Sequence, residues 1–399
     1  MRRHPFAPTL AALVALGALA GCSDSHAIPG LDSPLSSTKS RTTPGPSETS
    51  TPAADTSSTG AVTTVTIGAT GSVVVDAAVR GSAEKAAGAA GQYDFTPMFA
   101  PVKTYLRGSG VAICHLDTPL SQDNIDLSVA GSTTYNAPRQ VATGLVWAGF
   151  TGCDTASEHA MDLGLDGLAS TFRVFAHEGL AYAGPGAAQS NGRRVGISKD
   201  GAVTVADLAY SYSLDGKTTD GSAPSSARWL RRSLYPGVKA EGIIADAAAA
   251  KEAGADFVVV SLHWGEDAAA NPTQEQTDLA KALLADASID LILGTHPRHV
   301  QPCQKIGGKY VFYSLGELLA DPAQGTDAAA AGTSGLVARI TLARAPQGGV
   351  ASSAAVLPTR VDAGGQVIEP VTKDLDAKAN KAAMDTLGLL GDCPVTPLS

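Results

Sequence analysis

The chain has 399 residues, of which 44% are apolar and 17% are charged, and its formal net charge is −9. This negative charge argues against nucleic acid as a partner, because binding to phosphate backbones needs a basic stripe. Beyond the N-terminal region there is no apolar run long enough to cross a bilayer, so the sequence predicts a globular body.

The N-terminal segment has the three parts of a secretory signal. Arg2 and Arg3 precede an apolar run from about residue 10 to residue 20, and small residues follow it. The run is shorter than the roughly 20 apolar residues that a permanent membrane helix needs. Residues 1–21 are therefore predicted to be a signal peptide for export.

The segment Leu19-Ala20-Gly21-Cys22 resembles the lipobox of bacterial lipoproteins. The resemblance implies cleavage before Cys22 and diacylation of that cysteine, and two acyl chains hold a protein firmly on a membrane. The alternative is an ordinary signal peptide cut elsewhere, with Cys22 incidental. The position of Cys22 directly after the apolar run favours a lipid-anchored protein on the extracytoplasmic face of the cell membrane.

Residues 22–62 consist mostly of Ser, Thr, Pro, Gly and Ala. Such a segment cannot bury enough apolar surface to offset its ordering entropy, so it is predicted to be a flexible tether. A coil of this length has an r.m.s. span of roughly 35 Å. Residues 63–399 form the predicted folded domain, which is long for one core but shows no clear second boundary.

Short β-branched runs alternate with alanine-rich stretches in the folded domain, a pattern typical of βαβ units around a buried sheet. The predicted strands are residues 64–75, 110–114, 145–149, 256–262, 289–293 and 310–313. The predicted helices are residues 95–107, 163–177, 238–253 and 273–287. Residues 336–342 and 351–361 read as further strands and suggest a second sheet.

Side chains that can bind metals or protons follow several predicted strands, where the active sites of α/β folds collect. These residues are His115, Asp117, Glu158, His159, His263, His296 and His299. Imidazole suits Zn, Fe or Mn, and carboxylate suits harder ions. Any one of these histidines alone reads as an ordinary core or loop residue. Their repeated placement after strands favours a metal site.

Four cysteines remain after Cys22, an even number in an oxidising compartment. Cys114 and Cys153 both lie close to predicted strand ends, so they could lie side by side. Cys393 lies in the C-terminal tail, which a disulfide with Cys303 could hold in place. Three pairings are possible, and we predict Cys114–Cys153 and Cys303–Cys393. The alternative of four unpaired thiols is disfavoured by export.

Five segments then match known motifs in order and spacing. They are residues 113–120 (ICHLDTPL), 155–164 (TASEHAMDLG), 260–266 (VSLHWGE), 294–302 (GTHPRHVQP) and 310–316 (YVFYSLG). Together they resemble the motifs of CapA-like proteins, a family linked to poly-γ-glutamate capsule synthesis and related to calcineurin-like metallophosphoesterases. The resemblance covers residues 65–319. It implies an α/β fold of the metallophosphoesterase type, an α/β/β/α sandwich of two mixed sheets flanked by helices, with a di-metal site in an intact member.

The chain departs from the family pattern at metal positions. The family's Gly-Asp after the first strand is Gly71-Ser72 here, and the second histidine of its His-x-His motif is Arg298. The resemblance therefore implies that one of the two metal sites is lost. Further departures place His115, Asp117, Glu158 and Glu317 where the family has Asn, Glu, Asn and Asn.

The other metal site keeps a full set of ligands by matching position. The resemblance assigns it Asp117, Glu158, His263 and His296, which could hold one divalent ion, Mn, Zn or Fe. His115 and His299 are candidate substitute ligands. Arg298 supplies positive charge and could bind phosphate or carboxylate bidentately. His159 is the candidate general acid.

Two hypotheses follow from this partly degraded site. One is a mononuclear metal-dependent hydrolase, and the other is a non-catalytic protein that binds an anionic envelope polymer or an envelope protein. Drift of a stable fold would strike both metal sites alike, whereas the losses concentrate on one. A solute-binding lipoprotein ranks lower, because it would not need histidines at successive strand ends. A serine hydrolase ranks lower still, because the sequence has no Gly-x-Ser-x-Gly motif. The sequence also has no Gly-rich phosphate loop of the nucleotide-binding type.

Overall fold

The computed structural model describes residues 61–190, 192–321, 334–362, 366–371 and 385–398. The predicted signal peptide, Cys22 and the tether up to residue 60 lie outside the described residues. Among the helices of the described ranges, none has both the length and the apolar character that a membrane span requires.

The strands range from two residues in β3 to twelve in β15. They are β1 Thr63–Val73, β2 Val111–Leu116, β3 Leu120–Ser121, β4 Ala137–Pro138, β5 Gly152–Asp154, β6 Ala181–Pro185, β7 Arg193–Asp200, β8 Val203–Ser211, β9 Phe257–His263, β10 Leu291–Thr295, β11 Cys303–Ile306, β12 Lys309–Phe312, β13 Glu317–Leu319, β14 Ser334–Arg344, β15 Val350–Val361, β16 Ile368–Pro370 and β17 Val395–Pro397.

The α-helices mostly connect parallel strands. They are α1 Ala77–Ala87, α2 Thr96–Phe99, α3 Lys103–Arg107, α4 Gln140–Ala148, α5 Gly164–Glu178, α6 Tyr235–Glu252 and α7 Gln274–Ala285. Local sequence sets their ends. The Asp76 carboxylate accepts the Ala78 and Val79 amides and starts α1, and Thr273 forms a capping box with Gln276 at α7.

One mixed sheet contains all strands except the β3–β4 pair. Its order is β11-β12-β10-β9-β8-β7-β6-β5-β2-β1-β14-β15-β16, with β13 beside β1 and β17 beside β15. Two parallel blocks, β1-β2-β5-β6 and β8-β9-β10-β12, are joined through antiparallel β7. Each block therefore presents the carboxyl ends of its strands along one edge.

The three largest apolar clusters among the described residues hold the strands and helices together. One packs helices against the first block, with Phe99, Leu145 and Phe175 buried beside Cys114. Another packs α6 and α7 against the second block. A third contains side chains from both blocks, such as Ile67 and Val259. Burying one such side chain contributes about 1.5–3 kcal/mol relative to leaving it exposed.

Most predicted elements are confirmed, with boundaries shifted by a few residues. The predicted strand at residues 145–149 is wrong, because these residues end α4. Buried Val141, Leu145 and Ala148 follow the helical repeat, and Gly149 ends the helix with a φ of 114°. The predicted helix at residues 95–107 is two short helices, since Pro101 lacks the amide that would continue the first.

The strand-rich C-terminal segment joins the main sheet instead of forming a second one. β14 pairs antiparallel with β1 from Thr63 to Thr70, and β15 pairs with β14 along its whole length. The sequence prediction also missed β6 and β8, which are the last strand of the first block and the first strand of the second, and β7, which joins them.

Both predicted disulfides are present in the structure. Cys114 and Cys153 are directly paired residues of β2 and β5, with their Cα atoms 4.4 Å apart. Cys303 at the start of β11 is bonded to Cys393, with a Cα separation of 5.3 Å. The first bond joins two core strands, and the second holds the C-terminal segment against the sheet.

Candidate metal centre

The candidate site lies where the carboxyl ends of the two parallel blocks meet. His115 is on β2 of the first block, and His263 ends β9 of the second block. His115 Nε2 is 2.9 Å from His263 Nδ1, so the two blocks are in direct contact there. The sheet thus brings together residues that are 148 positions apart in the chain.

Glu158, which follows β5, is at the centre of the cluster and is 7% exposed. One carboxylate oxygen contacts His263 Nε2, and the other is 3.4 Å from His296 Nδ1 and 3.8 Å from Arg298 Nη2. Burial alone would raise the pKa of Glu158, but His263 and His296 outweigh it and hold that pKa well below its usual range. Glu158 is therefore an anionic group facing two imidazoles and one guanidinium.

The two histidines that flank Glu158 differ in their surroundings. Burial lowers the pKa of His263, although Glu158 and Asp117 oppose that effect. A neutral imidazole is the form that binds metal ions. His296 has a φ of 93°, which a residue with a side chain rarely adopts, and its ring is 4.8 Å from those of Tyr212 and His263.

Two buried ligand atoms of this cluster have no hydrogen-bond partner. They are Asp117 Oδ1 and His296 Nδ1. The latter atom is 3.4 Å from Glu158 Oε1, but the geometry is not that of a hydrogen bond. Buried polar atoms are normally satisfied, and an unpaired set of carboxylate and imidazole atoms is what a cation would satisfy. Three overlapping groups have ligand atoms within 4.8 Å of one another: His115, Asp117 and His263; Glu158, His263 and His296; and Asp117, Glu158 and His159. The residues present therefore fit a divalent metal ion.

Arg298 lies beside this cluster, among carboxylates. Its guanidinium is 3.2 Å from Asp267, 3.9 Å from Glu317 and 3.8 Å from Glu158. Burial would lower the pKa of Arg298, but the surrounding carboxylates, Asp117 first, raise it. Arg298 is therefore always charged, and its own φ of 59° shows that the loop holds it in a rare conformation.

Three positions where the chain departs from the motifs that it resembles are neighbours in space. Ser72 on β1 is paired with Glu317 on β13, and Glu317 is 3.9 Å from Arg298. Burial raises the pKa of Glu317 to about 7, although Arg298 opposes this. A buried serine, a carboxyl group with a raised pKa and a guanidinium occupy this side of the site.

His159, the candidate general acid, is oriented by a carboxylate. Its Nδ1 is 3.0 Å from Asp162, and its ring packs nearly perpendicular to that of Tyr135. Burial would lower the pKa of His159, but Asp162, Asp117 and Glu158 raise it. Its Nε2 is 3.9 Å from Glu158, so a proton on this atom faces the cluster.

The structure brings together six of the candidate residues, Asp117, Glu158, His159, His263, His296 and His115. His299 is partly buried and belongs to none of the three ligand groups found among the described residues. Sequence analysis missed Asp154, whose carboxylate is 2.6 Å from His115 Nδ1, and also Asp162 and Tyr212. Asp154 directly follows Cys153 at a strand end, but the misplaced third strand concealed that signal.

The comparisons with known proteins agree with the motif pattern. The family described as "Bacterial capsule synthesis protein PGA_cap" matches residues 66–322. The chain is 34% identical over 176 residues to the PGA biosynthesis protein CapA of Bacillus subtilis (strain 168), which is 43% of each chain. It is 29% identical over 233 residues to the capsule biosynthesis protein CapA of Bacillus anthracis, covering 58% of this chain and 55% of that protein.

A solved structure is also similar in outline. The calcineurin-like phosphoesterase YfkN from Bacillus subtilis aligns with 82% of this chain and 98% of that chain, at 12% identity and a TM-score of 0.41. The alignments to the two CapA proteins span about half the length of those relatives. Because the family match covers more than half of the chain and contains every residue of the metal cluster, this chain belongs to the bacterial capsule synthesis protein family PGA_cap.

Proposed function

We propose that the chain acts outside the cell membrane in the synthesis or export of a capsule or envelope polymer of the poly-γ-glutamate type, through a cleft that holds one divalent metal ion. The observation that carries the proposal is a pair of buried ligand atoms that make no hydrogen bond, Asp117 Oδ1 and His296 Nδ1, beside ionised Glu158. Membership of the PGA_cap family supports the class of polymer.

The residues of the cleft have separate roles in this proposal. Asp117, Glu158, His263 and His296 would hold the ion, which when bound supplies a Lewis acid. Arg298 is 35% exposed, so its guanidinium can reach a carboxylate or phosphate of the substrate. Asp162 accepts the Nδ1 proton of His159, which leaves the Nε2 proton available to a leaving group.

The number of bound ions tests the metal centre. We would purify the full chain, add Mn or Zn, remove excess ion and measure metal per chain. One ion per chain is expected, and His263→Ala should lose it. His177→Ala is the matched control, because that side chain is 85% exposed and outside the cluster. Two ions per chain in the wild type would show that the second site is intact, and none would refute a metal centre.

A second candidate function is binding without catalysis. It is favoured by Ser72 and Arg298, which stand where the family resemblance implies two ligands of the lost metal, and by the ion pairs of Arg298 with Asp267 and Glu317. Hydrolysis of phosphodiester substrates that His159→Ala abolishes would support the enzyme. Binding of poly-γ-glutamate that Arg298→Ala abolishes, without such hydrolysis, would support the binding protein.

We also propose that the sheet folds over into the α/β/β/α sandwich expected of metallophosphoesterases. The support is the core shared by Ile67 of the first block and Val259 of the second, with helices packed on other faces of the same blocks.

Membrane attachment through Cys22 is part of the proposed function. Cys22→Ser should move the protein from the membrane fraction to the soluble fraction, because the acyl chains can no longer be attached. Ser23→Ala is the control and should stay with the membrane. Release of neither variant would argue for another mode of attachment.

A further inference from the structure

Four buried side chains form a continuous chain of polar contacts that runs through the site. Asp154 Oδ1 is 2.6 Å from His115 Nδ1, and His115 Nε2 is 2.9 Å from His263 Nδ1. His263 Nε2 then contacts Glu158. The chain begins deep in the sheet, at a strand end of the first block, and ends at the carboxylate in the centre of the metal cluster.

Both ring nitrogens of His115 are used within this chain. The residue is 2% exposed, and its ring stacks on His263 with centroids 4.8 Å apart and an interplanar angle of 22°. Coordination of an ion by His115 would break its contact with either Asp154 or His263. His115 is therefore placed to hold the ligand His263 in position and not to bind the ion itself.

The backbone fixes this arrangement. His115 and Asp154 are directly paired residues of parallel strands β2 and β5, and the preceding pair in the same register is Cys114 and Cys153, which are joined by a disulfide. Strand pairing and a covalent bond thus hold Asp154 beside His115. Neither side chain needs a flexible loop to reach its partner.

A histidine that binds metal through one nitrogen needs its other N–H to be accepted by a fixed partner. Burial would lower the pKa of His115, but Asp154 raises it to about 9, so in the ion-free chain His115 Nε2–H donates to His263 Nδ1. If His263 binds an ion through Nε2, a neutral His115 accepts the Nδ1–H of His263 instead. The Nδ1–H of His115 then donates to the Asp154 carboxylate, which can only accept. Thr295 Oγ1, 3.2 Å from His263 Nδ1, is a second neighbour of the same atom.

We propose that Asp154 and His115 are positioning residues that set the tautomer and ring orientation of His263, and that His115 is not itself a metal ligand. This role rests on the proposed metal centre, and it replaces the expectation that His115 substitutes for a lost ligand. It extends the carboxylate–histidine–metal arrangement by one imidazole.

Zinc binding to the purified full chain tests the proposal. In Asp154→Asn the tautomers of His115 and His263 are no longer fixed, because an amide can donate as well as accept a hydrogen bond. It should weaken zinc binding in calorimetry by about 10–100-fold, as loss of an outer hydrogen-bond partner typically does. X-ray absorption should count the same number of imidazole ligands in the wild type and in His115→Asn.

Asp256→Asn is the matched control, because that carboxylate accepts the Thr204 amide (2.7 Å) at the opposite end of β9. Its zinc affinity should equal that of the wild type. Loss of one imidazole in His115→Asn would make His115 a ligand and overturn the proposal. Unchanged affinity in Asp154→Asn would also overturn it.

A second readout does not depend on bound metal. Ring ¹⁵N spectra of the metal-free chain should show one tautomer of His263 in the wild type and a mixture in Asp154→Asn. The same tautomer population in both proteins would overturn the positioning role. A tautomer change in a chain that binds no zinc would support the positioning role and refute the proposed metal centre, so the two failures are distinguishable.

Discussion

Glu317 shows how one buried carboxyl group makes stability depend on pH. Its pKa is about 7 in the folded chain, above the ordinary value of 4.5, because it is buried and Arg298 offsets only part of the effect. A raised acid pKa means that the folded state binds the proton more tightly than the unfolded state does. Stability from this group is therefore complete below the unfolded pKa and decreases as pH rises toward and past 7.

The substitution Glu317→Gln should remove this pH dependence. We expect little change in the free energy of unfolding at pH 4 and a gain of up to about 3 kcal/mol at pH 8, because the ionised form is no longer buried. Denaturant unfolding in the presence of a chelator measures it. A variant that is less stable than the wild type at pH 8 would show that the ion pair with Arg298 outweighs the cost of burial.

Ser72 and Arg298 should decide whether a second ion binds. Replacing both, with Ser72→Asp and Arg298→His, removes the guanidinium and adds two ligand groups next to Asp117 and Glu317. Metal analysis of this double variant should give two ions per chain. The single variant Ser72→Asp should still give one, because Arg298 remains and pairs with the new carboxylate. One ion in the double variant would mean that other positions also block the second site.

Site residues could be predicted from sequence where their type and motif alone indicate a metal ligand. His263 and His296 follow continuous apolar strands and stand in recognisable motifs. Asp154 could not be predicted in the same way, because its role depends on a contact with His115, 39 positions earlier, that only the register of β2 and β5 creates. The proximity of Arg298 to Glu317 likewise depends on how the loop after β10 meets β13.

At the level of elements, burial pattern separated the correct predictions from the wrong ones. The run at residues 257–260 is apolar on both faces and is correctly predicted as a strand. Residues 145–149 have similar composition, but they end a helix whose buried positions recur at helical spacing. β7 and β8 were missed although Gly201, with a φ of 57°, connects two strands across a tight turn.

The two disulfides should differ in what they control. Cys114→Ser with Cys153→Ser removes the link between β2 and β5 directly beside His115, so it should lower both stability and zinc affinity. The double substitution Cys303→Ser with Cys393→Ser removes a bond between residues 90 positions apart and frees the C-terminal segment. It should lower stability without changing zinc affinity. Each loss of stability should be about 2–5 kcal/mol.

Chemical denaturation and zinc titration of both double variants measure this difference at a temperature where each is folded. Equal zinc affinities in the two variants would contradict a special role for the Cys114–Cys153 bond.

For the whole molecule, the metal cluster is a junction between two blocks that the chain builds separately. The first block contributes the proposed ligands Asp117 and Glu158, which follow β2 and β5, and the second contributes His263 and His296. Composition and periodicity could predict that parallel blocks exist. They could not predict how β7 joins them, since that connection depends on the antiparallel pairing of β7 with both β6 and β8.

A bound ion should therefore stabilise the whole fold and not only the site. An ion that binds the folded state alone adds about 2.7 kcal/mol at a free concentration of 100 times its Kd. Because its ligands come from both blocks, the two blocks should unfold in one transition at a higher Tm when Mn or Zn is present. Differential scanning calorimetry at several ion concentrations measures the shift. His263→Ala should show no shift and His177→Ala the full shift, whereas a transition that splits in two with the ion bound would mean that the ion stabilises one block alone.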